Sequence, residues 1–211
     1  MRDYKLGVIG DPIDHSLSPK IHNLFAKQTG INIDYQAYHV LSENLDSFVI
    51  DFFKNGGHGL NVTLPHKIDC LRLAGHIPHH IRLIGAANTL GYRKDEEKIT
   101  VDSTDGEGLV QDLEDKFKLR NSNVLILGAG GAALSIIPNI IWKRASNIIL
   151  DNRSQEKIQL LIDRFDQHIY LFGIKDRSRW GTGNFPPHNV VHIDNFEGNI
   201  DLVINATSAG F

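Results

Sequence analysis

The first half of the chain alternates short apolar runs with segments that have helical spacing. Residues 6–10 form an apolar run typical of a buried strand, and residues 33–40, rich in tyrosine and β-branched residues, predict a second. Between them, Ser18-Pro19 is typical of a helix start, with Ser18 as the N-cap, and Gly30 ends that helix. Residues 42–55 have apolar positions at helical spacing. This βαβα order favours a mostly parallel sheet.

The pattern then changes to a strand at 59–63, a short helix from 65, a hairpin over 87–101 with a charged tip, and a connecting helix over 106–117. We place a domain boundary near residues 103–106, at the entry to the connecting helix. The expected domains are therefore 1–104 and 105–211.

The second half predicts a strand at 124–127, a helix to about 144, a strand at 147–151 and a helix near 155–167. Further strands are predicted at 170–172, 190–193 and 201–205, with the one at 190–193 the weakest, and a loop at 180–188. The chain is thus predicted to be α/β, with a Rossmann-like second domain. No closing helix follows 201–205, so we expect that domain to be incomplete at its C-terminus.

Composition narrows the class of protein. The formal net charge is -3, which gives no reason to expect a nucleic-acid partner. No apolar run approaches the roughly 20 residues that span a bilayer, and no secretory leader is recognisable, so no membrane partner is expected. Cys70 is the single cysteine, which excludes an internal disulfide and fits a reducing compartment. We expect a cytoplasmic protein.

A glycine-rich turn predicts a dinucleotide site. Residues 128–133, Gly-Ala-Gly-Gly-Ala-Ala, follow the apolar run Val-Leu-Ile-Leu and precede a helix. The first glycine permits a tight turn, the second lets a pyrophosphate approach the backbone, and the helix N-terminus then faces the anion. Pro138 is expected to bend that helix or to be absorbed by a local distortion.

The end of the next strand bears on which nicotinamide cofactor binds. An acid there binds the ribose hydroxyls of NAD, whereas a basic residue binds the 2'-phosphate of NADP. Asp151 is expected to stay inside the strand, which leaves residues 152–154, Asn-Arg-Ser, as the loop, with Lys157 one turn later. An arginine, a hydroxyl and a lysine suit a phosphate dianion. The pattern favours NADP, with NAD bound through Asp151 as the alternative.

Lys67 and Asp105 are the candidate proton-transfer pair. A lysine beside a carboxylate can move a proton while a bound nicotinamide moves a hydride, which is the chemistry of an alcohol/ketone oxidoreductase. A structural ion pair is the alternative interpretation. His66 is expected to lie at the surface or in packing, and His76, His79 and His80 to form a solvated patch without a metal.

Several motifs occur in the order seen in one known family. They are His-Ser-Leu-Ser-Pro at 15–19, Asn-Val-Thr-Leu-Pro-His-Lys at 61–67, Gly-Ala-Ala-Asn-Thr at 85–89, Ser-Thr-Asp-Gly at 103–106, the glycine turn, Asn-Arg-Ser at 152–154 and Asn-Ala-Thr-Ser-Ala-Gly at 205–210. In this order, and across essentially the whole chain, the sequence resembles the shikimate dehydrogenases.

The resemblance implies reversible, NADPH-dependent reduction of 3-dehydroshikimate to shikimate, a step of the shikimate pathway of aromatic amino acid biosynthesis. It also implies two α/β domains, the first for substrate and the second for NADP, with the active site in the cleft between them. By motif, the residues implied to bind substrate are Ser16, Ser18, Thr63, Lys67, Asn88 and Asp105. Those implied to bind the cofactor are Gly128, Ala129, Gly130, Gly131, Ala132, Asn152, Arg153, Ser154, Lys157 and Thr207.

The chemistry of the substrate residues agrees with these roles. Ser16 and Ser18, two positions apart on extended chain, would point to one side, where both hydroxyls can donate to a carboxylate. Ser18 has capping of the first helix as an alternative or additional role, whereas Ser16 has less structural reason to be there. Asn88 offers a donor and an acceptor to a vicinal diol, or it fixes a turn.

The match departs from the family at three points. Ser103 replaces a usual asparagine, which would weaken the orientation of Asp105, and Leu134 replaces a residue that is often polar. The family also continues beyond residue 211 with segments that supply tyrosine and glutamine contacts, so we expect a short chain whose uncovered apolar surface favours association, a homodimer included. The alternatives are a quinate/shikimate dehydrogenase that uses NAD and a truncated dinucleotide-binding protein without turnover.

Overall fold

The computed structural model describes residues 4–172 and 189–207. The chain divides into two compact units, Met1–Thr104 and Asp105–Phe211, hereafter the first and the second unit. Among the described residues, no helix has both the length and the apolar character needed to cross a membrane.

The first unit contains a five-stranded mixed sheet in the order β2-β1-β3-β4-β5. Strands β2, β1 and β3 are parallel, as the βαβα pattern predicts, and β4 and β5 form the predicted antiparallel hairpin. Its elements are β1 Tyr4–Gly10, α1 Ser18–Thr29, β2 Ile33–His39, α2 Leu45–Lys54, β3 Gly59–Val62, α3 His79–Ile84, β4 Thr89–Arg93 and β5 Lys98–Asp102, with short 3₁₀ helices at Ser42–Asn44 and Asp69–Leu73.

The two long helices of the first unit differ in burial. In α2 the residues Leu45, Val49, Phe52 and Phe53 are buried at helical spacing. Phe52 contacts Tyr38 of β2 and Phe53 contacts Tyr92 of β4, so this helix packs on the sheet. Helix α1 has no buried residue, and its apolar residues are largely exposed. It ends as predicted at Gly30, which adopts the left-handed conformation that glycine favours.

The second unit contains a four-stranded parallel sheet in the order β8-β7-β6-β9. Its elements are α4 Asp105–Glu114, β6 Asn123–Leu127, α5 Gly131–Trp142, β7 Asn147–Asp151, α6 Gln155–Phe172, β8 Asn189–His192, a 3₁₀ helix at Ile193–Asn195 and β9 Leu202–Asn205. The predicted α/β class and the order strand, glycine turn, helix, strand are confirmed.

Helix α5 is buried along most of its length, including Ala133, Ile137 and Ile140. Pro138 lies inside it, and the helix continues to Trp142. Since proline has no N–H, the carbonyl of Leu134 loses its partner four residues later. The helix therefore continues through Pro138 without ending there.

Three predictions about local structure are wrong. The short helix predicted from residue 65 is a turn that leads into the 3₁₀ helix Asp69–Leu73. The residue at the N-cap of α1 is Leu17, without a side-chain cap, and Ser18 is already the first helical residue. Residues 170–172 continue α6 rather than forming a strand, because a run of three apolar residues is too short to distinguish a strand from the end of a helix. The third strand on that side is β8, at the position of the weakest strand prediction. The predicted loop at 180–188 and residues 208–211 lie outside the described residues.

Candidate functional site

The chemistry-bearing residues of the first unit lie at one edge of its sheet. Parallel strands β1 and β3 both end there, at Gly10 and Val62. The antiparallel hairpin returns to the same edge, because Asn61 pairs with Thr89 and Thr89 pairs with Asp102. The segments that follow β1, β3 and β5 and precede β4 therefore converge, in the position where open α/β sheets bind ligands.

The segment that carries Thr63 and Lys67 is held to its neighbours by backbone hydrogen bonds. The Thr63 N–H donates to Ile9 O over 3.0 Å, and Leu64 O accepts the Asp11 N–H over 2.9 Å. Lys67 O accepts the Ala87 N–H over 2.7 Å. Both Thr63 and Lys67 are half-buried, so their side chains extend from a fixed backbone at the sheet edge.

His66 is fully buried. Of the two positions that the sequence allowed, at the surface or in packing, the structure shows packing. Its Nε2 lies 2.6 Å from Val40 O and, since a carbonyl only accepts, Nε2 carries the proton. Its Nδ1 is buried without a hydrogen-bond partner in the part of the chain that the structure describes. The imidazole thus ties the Lys67 segment to the end of β2.

The helix-start role that the sequence predicted for Ser18 belongs to Ser16. Ser16 Oγ accepts the Ser18 N–H over 3.3 Å at the start of α1, so the helix-start contact belongs to Ser16 and not to Ser18. The Ser18 side chain hydrogen-bonds to the phenol of Tyr35, whose pKa burial raises to about 12. Tyr35 in turn donates to Asn61 Oδ1 over 2.6 Å. Both serines are half-buried at the carboxyl end of β1.

Asn88 joins the start of β4 to the segment after β5. Its Oδ1 accepts the Thr104 N–H over 3.1 Å and its Nδ2 donates to Thr104 Oγ1 over 2.9 Å. Its backbone N–H donates to Asp102 O over 3.0 Å. Asn88 therefore fixes a turn, which is one of the two roles predicted for it. Thr104 was missed from the sequence, although it stands within the Ser-Thr-Asp-Gly motif.

In the second unit, Gly128 makes the turn after β6. Its φ is 108°, in the left-handed region, and a Cβ at this position would lie 2.9 Å from Ala206 O. Its N–H donates to Asp151 O over 2.7 Å. Both the conformation and the close approach exclude a side chain, so glycine is required here.

The turn leads directly into the N-terminus of α5. Gly130 precedes the helix, and nothing lies within 4 Å of a Cβ built on it. The N–H groups of Gly131, Ala132 and Ala133 belong to the first helical turn, where no carbonyl of the same helix can accept them. Those donors and the open space above Gly130 fit a pyrophosphate. Ala129 is buried within the turn.

The loop after β7 has the predicted arrangement. Asp151 is the last strand residue and pairs with Leu127. Asn152 Nδ2 donates to Ser154 O over 3.2 Å, and Ser154 Oγ accepts the Lys157 N–H over 3.4 Å at the start of α6. Arg153 and Lys157 are exposed. These cationic side chains on an ordered loop fit a 2'-phosphate.

Thr207 lies beside the glycine turn. Asn205 Oδ1 accepts both the N–H of Thr207, over 3.0 Å, and its hydroxyl, over 2.6 Å. A Cβ on Gly128 would come within 3.1 Å of Thr207 Cγ2. Of the predicted cofactor residues, those at 128–132 and Thr207 are therefore brought together by β6, α5 and β9.

The second unit thus defines a protein of the dinucleotide-binding α/β class. Comparison with protein-family models matches residues 8–90 to the shikimate dehydrogenase substrate binding domain and residues 111–176 to shikimate / quinate 5-dehydrogenase. The NADP(+) shikimate dehydrogenase of Marinobacter nauticus is 39% identical over 204 residues, which cover 96% of this chain and 69% of that protein. The chain belongs to the shikimate dehydrogenase family, which confirms the resemblance seen in the motifs.

Solved structures agree with this assignment. A shikimate dehydrogenase in complex with NADP+ is 33% identical, with a TM-score of 0.79, covering 97% of this chain and 67% of that one. The enzyme from Aquifex aeolicus is 28% identical, with a TM-score of 0.78, covering 98% of this chain and 69% of that one. An Ael1 enzyme from Pseudomonas putida is 32% identical, with a TM-score of 0.76, covering 98% and 70%.

Proposed function

We propose that the protein catalyses the reversible, NADPH-dependent reduction of 3-dehydroshikimate to shikimate, a step in aromatic amino acid biosynthesis. The observation that carries this proposal is the family membership over both units, with relatives that are named NADP(+) shikimate dehydrogenases. The sheet edge of the first unit and the glycine turn of the second offer the two kinds of binding surface that the reaction requires.

The residues of the second unit fit NADP. The first-turn N–H groups of α5 would hold the pyrophosphate above Gly128 and Gly130, and Thr207 lies next to that turn. Arg153 and Lys157 would hold the 2'-phosphate, with Asn152 and Ser154 shaping the loop. When bound, the nicotinamide supplies or removes the hydride at the alcohol carbon.

The residues of the first unit are proposed to bind the substrate. Ser16 and Ser18 meet its carboxylate at the carboxyl end of β1. Thr63 and Asn88 bind ring hydroxyls from the ends of β3 and β4, where backbone hydrogen bonds fix both residues. The interaction of Asn88 with Thr104 orients its amide before substrate arrives.

Lys67 and Asp105 are proposed as the proton-transfer pair, and both also bind ring hydroxyls. In the direction of reduction the Lys67 ammonium donates a proton to the oxygen of the former ketone as negative charge develops on it. In the direction of oxidation the Lys67 amine accepts that proton. Asp105, at the start of α4, is the second member of the proposed pair, and its carboxylate accepts a hydrogen bond from a ring hydroxyl.

Location and assembly stay predictions. The single cysteine favours the cytoplasm. A homodimer is proposed on the exposed apolar residues of α1, Ile21, Leu24 and Phe25.

A spectrophotometric assay tests the proposal. The purified protein is incubated with shikimate or quinate as substrate and with NADP+ or NAD+ as cofactor, in all four pairings. The absorbance of the reduced cofactor is followed in each. Turnover with shikimate and NADP+ that exceeds the other three pairings supports the proposal. A tenfold preference for NAD+ would instead assign Asp151 to the ribose, and binding of NADP+ with no turnover would make the chain a non-catalytic binder.

A further inference from the structure

Two helices of the second unit meet at a point where no side chain fits. Helices α4 and α5 pack against one another. A Cβ built on Gly106 would overlap the carbonyl oxygen of Ser135 and the side-chain amide of Asn139, both on α5. Asn139 Nδ2 also donates to Ser135 O over 3.3 Å, so the α5 side of this contact is already occupied. The backbone of α4 therefore touches α5 directly at Gly106.

This contact lies next to a proposed reacting group and on the helix of the nucleotide turn. Asp105 immediately precedes Gly106, and together they begin α4. Helix α5 begins at Gly131, one turn before Ser135. The closeness of the two helices at Gly106 therefore sets how far Asp105 lies from the turn that would hold the cofactor.

The two helices are unequal in how firmly they are held. Helix α5 has nine buried residues, whereas in α4 only Gly106 and Val110 are buried. The start of α5 is further fixed through Gly128, which lies against β9 and is bonded to β7. A side chain added at position 106 would therefore displace α4, and Asp105 with it, rather than α5.

We propose that Gly106 is a positioning residue, whose missing side chain lets α4 lie against Ser135 and Asn139 and so places Asp105 at its working distance from the glycine turn. The proposal rests on the proposed function, because it gives Asp105 a part in proton transfer. It concerns packing within the second unit and acts through Asp105 alone.

The same helix offers a matched control. Gly108 lies two residues further along α4, is exposed, and has nothing within 4 Å of a built Cβ. Gly106→Ala and Gly108→Ala make the same chemical change in the same helix, and alanine has the higher helix propensity at both positions. Only the first change presses on α5.

We expect Gly106→Ala to lower kcat for shikimate oxidation about 100-fold, because a displacement of about 1 Å of a reacting group costs this much. NADP+ affinity, measured by calorimetry, stays within about threefold, because the turn at Gly128 does not move. Gly108→Ala keeps wild-type kcat and affinity. Equal kcat in the two variants would overturn the proposal.

A third variant separates positioning from loss of stability. Val110→Ala removes a buried side chain from α4 without pressing on α5. It is expected to lower the melting temperature while keeping kcat per folded molecule within about threefold. A 100-fold loss of kcat in Val110→Ala would make the effect one of stability and refute the role of Gly106. If Gly106→Ala does not fold, Asn139→Phe presses the same contact from α5 and is expected to lower kcat in the same way; wild-type kcat there would refute the role.

Crystal structures give an outcome that does not depend on turnover. In Gly106→Ala the Cα of Asp105 is expected to lie about 1 Å further from Gly128 than in the wild type. An unchanged distance would sink the proposal. If the wild type shows no turnover with any of the four pairings, the proposed function fails, while this distance still decides whether Gly106 positions Asp105.

Discussion

The two units present their candidate binding surfaces in opposite ways. The sheet edge of the first unit presents side chains that are bonded to one another and to the backbone, as Asn88 is to Thr104. The glycine turn of the second unit presents backbone N–H groups, and its main requirement is that side chains be absent, as at Gly128. A substitution at the sheet edge of the first unit changes a functional group. A substitution in the glycine turn of the second unit changes the space available to a ligand.

The largest effect is expected where a functional group is removed from the first unit. Lys67→Ala should lower kcat for shikimate oxidation about 10³-fold, because general acid–base catalysis contributes about 10² to 10⁴. NADP+ affinity should stay near wild type, since the cofactor residues belong to the second unit. NADPH absorbance and calorimetry measure the two quantities.

Lys27→Ala, an exposed lysine of α1, is the control for this loss of charge. It should keep wild-type kcat. Unchanged rates in Lys67→Ala would remove Lys67 from the mechanism. The first unit would then not depend on this functional group, contrary to the contrast drawn above.

A pair of glycine substitutions tests the second unit. Gly128→Ala and Gly130→Ala should each weaken NADP+ binding about 100-fold, but for different reasons. At Gly128 the φ of 108° and the contact with Ala206 strain the folded state, so the melting temperature should also fall. At Gly130 a methyl group meets no protein atom within 4 Å and would only occupy the space proposed for the pyrophosphate.

Gly130→Ala should therefore melt like the wild type and bind shikimate normally. Calorimetric titrations with NADP+ and thermal melts separate the two reasons. Wild-type NADP+ affinity in Gly130→Ala would place the pyrophosphate elsewhere.

Arg153 is an exception in the second unit, because it would act as a side chain. Arg153→Ala should weaken NADP+ binding about 30-fold, the value of a charge-assisted contact of about 2 kcal/mol, and leave NAD+ binding unchanged. Arg120→Ala, which removes another exposed arginine of the same unit, should change neither. Equal losses for the two cofactors after Arg153→Ala would mean that Arg153 does not bind the 2'-phosphate.

The smallest expected effect is a difference in alkaline stability. Burial raises the pKa of Cys70 from 9.0 to about 12. Burial likewise raises the pKa of Tyr35 from 10.0 to about 12, against a smaller lowering by the hydrogen bond to Ser18. The folded chain keeps these protons where the unfolded chain has lost them, so the stability they contribute is complete below about pH 9 and falls as the pH rises towards 12. Both residues belong to the first unit.

Urea unfolding near pH 8 and near pH 10 measures this loss, which should be about 1.4 kcal/mol for Cys70 over that interval. Both tryptophans of the chain lie after residue 104, so their fluorescence follows the second unit, whereas circular dichroism follows both. The dichroism transition should move to lower urea at the higher pH, with the fluorescence transition moving less. Cys70→Ala should reduce the pH-dependent part, and an unchanged pH dependence in that variant would contradict the assignment.

Local patterns predict most of the fold because they combine the spacing of apolar residues with the residues that begin and end helices and strands. Strands β6 and β7 fall where the apolar runs predicted them, and the left-handed Gly30 ends α1 as expected. The sequence predicts Ser18 as the cap because serine before proline is a common helix start, whereas the bond between Ser16 Oγ and the Ser18 N–H depends on the folded backbone. The strand predicted at 170–172 is wrong because three apolar residues in a row are too few to separate a strand from the end of a helix.

The site shows the same limit. Motifs predicted Lys67, Asn88 and the glycine turn as parts of the site, since each depends on residue types at fixed spacing. The burial of His66 depends on Val40, which is distant in sequence, and the space at Gly106 depends on Ser135. Such contacts across tens of residues leave no periodic pattern in the sequence.

The contact between Gly128 and Ala206 has a consequence for synthesis of the chain. The glycines of the turn leave the ribosome well before strand β9, yet Gly128 acquires its neighbouring carbonyl only when β9 has paired with β6. Until then a nascent chain contains the residues of the turn without the Ala206 carbonyl that lies against Gly128. The complete surroundings of Gly128 therefore form only after the last described strand has been translated.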